Sequence, residues 1–248
     1  MTGMLARRRG VLALAAGVTV TAGIATALLS GTGSAPALGE QAAGSWAVRG
    51  RPVLAMHAAG TAVPPFRWEV RPATRALLGR SWRPGCPVPV ADLRIVGLTY
   101  RHFDGSVRDG VLVLHKDVVT RARPVFAAMY ATRFPLRRVR PVTDYGASDD
   151  RSMAADNTSG FNCRPAVAAG RPTWSRHAYG RAVDVNPVEN PYLFRGKVLP
   201  PAGTPYADRR RHRPGMIVKG GVVHRVFTRA GFRWGGTWSS PDYQHFDR

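Results

Sequence analysis

Ser175-Arg176-His177-Ala178-Tyr179-Gly180-Arg181-Ala182-Val183-Asp184 is the stretch on which the reading of this chain turns. A histidine and an aspartate lie seven positions apart, and Gly180 permits a tight turn between them. Ala182 to Val185 is a short apolar run that reads as a strand. Side chains alternate along a strand, so Val183 and Val185 turn to the core and Asp184 to the other face. Downstream, in Asp242-Tyr243-Gln244-His245-Phe246, an aspartate precedes a histidine by three positions. Gln244 to Asp247 reads as a final strand.

These residue types suit one chemistry. Imidazole nitrogen and carboxylate oxygen are both good zinc ligands, and a catalytic zinc keeps three protein ligands and an open position for water. His177, Asp184 and His245 supply three ligands for one Zn2+. Asp242 is then a second carboxylate, placed to take a proton from a water whose pKa the metal lowers to about 7. On spacing alone, ordinary readings stand beside this one. Either histidine can be a packing or surface residue, Asp184 can cap the turn, and Asp242 after Pro241 can be a turn residue. The other histidines (His57, His102, His115, His212 and His224) have no comparable carboxylate context. His224 falls on the outward side of a helix, and His115, between a strand and a helix, reads as structural.

SRHAYGRAVD, followed by GFRWGGTW and DYQHFD, resembles the zinc peptidases of the D-alanyl-D-alanine carboxypeptidase and L-alanyl-D-glutamate peptidase family. The family signature S-x-H-x-x-G-x-A-x-D with a later D-x-x-H is matched at Ser175, His177, Gly180, Ala182, Asp184, Asp242 and His245. Asn157 to Arg164 (NTSGFNCR) and the WRPGCPV segment are similar to the endolysin-like branch, so the resemblance spans roughly residues 80–248. It implies an α+β fold: a single small hedgehog-like domain with a short, mostly antiparallel sheet and flanking helices. It implies His177, Asp184 and His245 as metal ligands and Asp242 as general base. The family's arginine that steadies the oxyanion or a substrate carboxylate usually follows a Gly-Tyr pair. That pair is absent here, since Tyr145-Gly146 reverses it, and Arg164 and Arg151 are the candidates, Arg164 first. Ser175, Tyr179 and Trp238 are expected to contact substrate. Trp174 and Trp234 can line the cleft or pack in the core. The expected substrate is the stem peptide of peptidoglycan, cut by a carboxypeptidase or an endopeptidase. The alternative is a zinc-containing wall-binding module without catalysis.

Helix and strand patterns alternate along the same region. Leu93 to Tyr100 and Val111 to Leu114 read as strands with a turn at Asp104-Gly105. Asp117 to Phe134 is the clearest helix, with Asp117 as its cap and Pro124 as the objection to its continuity. Val222 to Ala230 reads as a second helix that presents Val222, Val223, Val226, Phe227 and Ala230 to the core and ends at Gly231. A short helix is expected within residues 72–80 and a strand over Arg137 to Val142. Loop is expected over residues 146–160 and mostly irregular chain over residues 186–215.

The N-terminus has the pattern of an export signal. Arg7, Arg8 and Arg9 precede the uncharged run Val11 to Leu29, and Ala35-Pro36-Ala37 is a small-residue cleavage site. Arg8-Arg9 also fits a twin-arginine variant. The expected organisation is a signal over 1–37, a Gly/Ala-rich lead-in over 38–62 and a peptidase domain over 63–248. If the signal is retained it becomes a single-span anchor. Export makes a Cys86–Cys163 disulfide the expectation, with two buried thiols as the alternative. The net charge is +21, and 33 of the 36 basic residues are arginine. Removing residues 1–37 removes three arginines and no acid and leaves +18. The arginines are scattered and form no basic arm, which argues against a nucleic-acid partner. They are a solvated surface, or they hold a monomer to anionic wall polymers.

Overall fold

The computed structural model describes residues 63–167 and 172–248. The signal over 1–37 and the lead-in over 38–62 lie outside the described residues. Among those described, no helix is long and apolar enough to cross a membrane.

The first sheet holds β1 (Trp68–Pro72), β2 (Leu93–Arg101) and β3 (Val107–His115), all antiparallel, with β2 in the middle. β2 and β3 close as a hairpin over Asp104-Gly105, where Gly105 has φ +81. β1 escapes the alternation rule because only Trp68 of its five residues is not exposed. Before β2, Thr74 caps α1 (Arg75–Leu78) by accepting from the Leu77 amide. Pro72 is the last residue of β1, so this helix is shorter than the expected 72–80.

α2 (Lys116–Ala131) lies against this sheet. It buries Val118, Ala122, Val125, Phe126 and Met129, a stripe at helical spacing. Its cap is corrected: His115, not Asp117, is the N-cap, and its Nδ1 accepts from the Asp117 amide at 3.2 Å. Pro124 does not break the helix. It sits on the exposed face, where water can reach the Thr120 carbonyl that Pro124 leaves unbonded.

The expected strand over 137–142 shrinks to β4 (Arg138–Val139), because Pro141 ends it and a 3-10 turn follows at Val142–Tyr145. The expected loop over 146–160 contains α3 (Asp149–Ala154) and β5 (Asn157–Thr158). Ser148 caps α3 by accepting from the Arg151 amide, and Asp149 and Asp150 complement its first turn. β5 pairs parallel with β4.

β6 (Ala182–Asp184) follows, then the hairpin of β7 (Tyr192–Phe194) and β8 (Lys197–Leu199) within the stretch expected to be irregular. Arg195 and Gly196 both take positive φ there, the geometry of a tight two-residue hairpin turn. α4 (Val222–Arg229) packs on α2 with Val223 and Phe227 buried. Val222, expected in the core, is 38% exposed. The His224 ring leans edge-on against Trp234 at 5.2 Å and does not simply face outward. β9 (Arg233–Trp234) and β10 (His245–Asp247) complete a second three-stranded sheet in the order β6-β10-β9. The α+β class is borne out, with several small sheets in place of one short sheet.

Cys86 and Cys163 are joined by a disulfide, with Cα atoms 5.8 Å apart. Cys163 is further tied to the segment before β2. Its amide donates to the Ser81 carbonyl, and its carbonyl accepts from Arg83 at 2.7 Å.

Candidate metal centre

β6 and β10 run antiparallel with His245 directly opposite Asp184. Their neighbours Val183 and Phe246 are fully buried on the core face, so alternation delivers both polar side chains to the other face. His177 comes from the 3-10 turn Arg176–Tyr179 that enters β6. Ser175 caps that turn, its hydroxyl accepting from the His177 amide at 3.2 Å. Gly180 ends it in the left-handed region at φ +66. A Cβ there would stand 2.8 Å from the His115 nitrogen and from a Leu93 methyl, so only glycine fits.

The three side chains meet. His177 Nε2 lies 3.0 Å from Asp184 Oδ2 and 3.1 Å from His245 Nδ1, and His245 Nδ1 lies 3.0 Å from Asp184 Oδ1. All three residues are buried, and one donor atom from each falls within 4.8 Å of the others. His177 Nδ1 is 2.5 Å from the Gly160 carbonyl, which can only accept. Nδ1 therefore carries a proton, and Nε2 is the nitrogen that would offer a lone pair to a metal. Gly160 is pressed against β3, where a Cβ would meet the Val113 carbonyl at 2.3 Å. Burial alone would raise the Asp184 carboxyl. The charge and hydrogen bonds of His177 and His245 outweigh it and hold that carboxyl far below its ordinary range. Burial opposes charge on His177 too, but the facing Asp184 carboxylate wins and raises it.

Asp242 stands at the edge of this cluster. Its backbone forms a bridge with Tyr192, and its amide donates to the Gly235 carbonyl. Its Oδ1 is sealed from solvent and has no hydrogen-bond partner among the described residues. Burial pushes this carboxyl up to about 7; the neighbouring Asp184 charge adds to that, while the charges of His245 and Arg164 pull down.

The residues fit a zinc ion. Two nitrogens and a carboxylate converge at close to ligand spacing, one imidazole has its tautomer fixed, and a carboxylate oxygen beside them lacks a donor. Such a group of buried charges is costly without a cation to draw them together.

The other expected residues divide. Arg164 pairs with Asp149, its Nε 2.8 Å from Oδ1, and its charge is felt at both His177 and Asp242. Trp238 is 42% exposed with its ring 5.3 Å from the His245 ring, so it borders the cluster from the solvent side. Ser175 is buried, and its hydroxyl caps the turn that carries His177. Arg151 lies apart from these. Its guanidinium covers the Gly146 turn, and no described contact joins it to the cluster. Tyr179 lies under the Arg176 guanidinium at 5.9 Å, likewise without a described contact to the cluster. Trp234 is core: it is buried and donates to the Tyr243 carbonyl. Trp174 is 37% exposed and its backbone bridges Pro165, the residue after Arg164.

Sequence reading missed Asp149, Gly160, Asn162 and Tyr192. Asn162 ties two parts of the site together. Its amide donates to the His177 carbonyl at 3.1 Å and its side chain to Asp149 at 3.3 Å. The NTSGFNCR segment was a signal for Gly160 and Asn162, but nothing local marks Asp149 or Tyr192.

The family model for D-alanyl-D-alanine carboxypeptidase matches residues 169–248, about a third of the chain. That stretch contains all three residues of the cluster and Asp242. The match bears out the resemblance read from the motifs and supports a carboxypeptidase-like peptidase. No curated protein and no solved structure matches the chain.

Proposed function

We propose that this protein is an exported, zinc-dependent peptidase acting on the stem peptides of peptidoglycan. One observation carries the reading: His177, Asp184 and His245 form a buried ligand set with the Asp242 carboxyl, its Oδ1 without a partner, beside it, inside the segment that matches D-alanyl-D-alanine carboxypeptidase. His177 Nε2, His245 Nδ1 and an Asp184 oxygen would hold the ion. Zinc there would supply a Lewis acid that lowers the pKa of water and polarises an amide carbonyl.

The chain's own groups do the rest. Asp242, near neutrality in its titration, takes the proton of the attacking water on Oδ1 and passes it to the leaving amine. Arg164, held in place by Asp149, offers positive charge to the developing oxyanion or to a terminal carboxylate. Trp238 gives the approaching peptide a flat apolar face beside His245. One chain supplies every group, which favours a monomer. The disulfide and the N-terminal export pattern support a place outside the cytoplasm.

The test is to incubate the zinc-loaded protein with intact peptidoglycan and with defined stem peptides and to read the products by mass spectrometry, with His245→Ala as control. Loss of a terminal D-alanine identifies a carboxypeptidase, and an internal cut an endopeptidase. Zinc bound at one per chain with no cut in either substrate would overturn the peptidase reading in favour of a wall-binding module.

A further inference from the structure

An open pocket of about 510 Å³ lies by the β2–β3 hairpin and is lined by none of the cluster residues. Arg108, Arg137, Arg138 and Arg140 line it, with the Tyr100 and Tyr145 side chains and only two acids, Asp109 and Asp144. Much of this charge is already matched. Arg108 donates to Asp104 at 2.7 Å, and Arg137 stands 3.5 Å from each of the buried Asp156 and Glu189 carboxyls. Asp109 is bonded by Arg67.

Arg138 and Arg140 differ. Among the described residues neither is within ion-pair distance of an acid, although the Asp144 carboxylate on the same wall feels the Arg140 charge, and the Arg138 guanidinium reaches only the Ala155 carbonyl. They flank buried Val139, so the period of two directs both to the same outward face. Their backbone is fixed. Asn157, itself buried, accepts from the Arg140 amide at 2.9 Å and donates to its carbonyl at 3.0 Å. Both guanidinium charges act on the Tyr100 and Tyr145 hydroxyls. Burial outweighs that pull and keeps the two phenols protonated and able to donate.

Two guanidinium forks held in no ion pair, on a fixed backbone with phenol donors beside them, make a receptor for a tetrahedral oxyanion. We propose that this pocket binds a phosphodiester unit of a polyol-phosphate polymer and so holds the protein within the wall matrix. The chemistry stands on the pocket alone, while the choice of a wall polymer rests on the function proposed above. A nucleic acid fits less well, because Tyr100 is buried and only the half-buried Tyr145 could face a base.

The experiment measures binding of the full chain to poly(glycerol phosphate) by calorimetry, with single-stranded DNA and inorganic phosphate in parallel. The pocket variant is Arg138→Gln/Arg140→Gln. The control, Arg121→Gln/Arg123→Gln, removes the same charge from the exposed face of α2. The pocket variant should bind the polymer at least about tenfold more weakly, and the control should bind as the parent does. Cleavage of a soluble stem peptide should not change in either. Equal weakening in both variants would show a net-charge effect and overturn the proposal, as would unchanged affinity in the pocket variant. DNA bound as tightly as the polymer through the same arginines would replace the polymer with nucleic acid, and binding of inorganic phosphate alone would reduce the pocket to a simple anion site. Polymer binding without any peptide cleavage would refute the proposed peptidase and leave the pocket standing.

Discussion

His245 stands directly across the β6–β10 pair from Asp184, with its Nδ1 3.0 Å from Asp184 Oδ1. The pairing register therefore sets the ligand geometry. A slip of one residue would send His245 to the core and Phe246 to the cluster, and the burial of Phe246 forbids it.

His245→Ala should leave His177 and Asp184 without their third partner. Metal analysis should fall from one zinc per chain to none, and peptide cleavage should vanish with it. Chelator should lower the melting temperature of the parent and leave that of the variant unmoved, because only the parent has a bound ion to lose. Full zinc content in the variant would show that His245 is not a ligand.

Asp242→Asn should separate binding from turnover. The amide keeps the shape but cannot take a proton, so zinc content should hold while kcat falls by about 10²–10⁴-fold. Parental turnover in this variant would remove Asp242 from the role of base.

Cys163→Ser should cost about 2–4 kcal/mol in a urea titration, since the bridge joins positions 77 apart. Activity should fall too, because the next residue, Arg164, loses part of what anchors its segment. Equal stability of the parent with and without reductant would contradict this.

Glu189→Gln should change how stability depends on pH. Glu189 is buried, and burial first, then the adjoining Asp156, pushes its carboxyl from 4.5 up to about 8. In that window the folded chain keeps a proton that the unfolded chain releases, so stability falls as pH rises from about 5 to about 8. The glutamine variant should lose this part of the slope and gain most near the upper end, as read from urea midpoints across the range. Parallel curves for the two proteins would show that Glu189 does not titrate in the window.

The site was legible where chemistry and local geometry coincide. His177, Asp184 and His245 could be read because a ligand must be histidine or aspartate and a strand must alternate. Gly180 could be read because only glycine tolerates its conformation. Arg164 was a candidate without a reason, since its partner Asp149 lies on α3, a polar helix with no apolar stripe to announce it. β1 was missed for the same cause, its side chains being mostly exposed. The cap bond from the His177 amide to the Ser175 hydroxyl depends on a turn visible only in three dimensions. Pro124 misled in the other direction, because its tolerance depends on which face of α2 meets water.

One consequence follows from Phe246, which stacks on Phe227 with ring centres 3.8 Å apart while its neighbour His245 points into the cluster. The strand that carries a ligand also closes the core. Drawing the His245 backbone away from Asp184 therefore means pulling an aromatic ring out of the protein interior, an event close in free energy to global unfolding. Amide hydrogens of β10 should therefore be among the slowest to exchange in the protein.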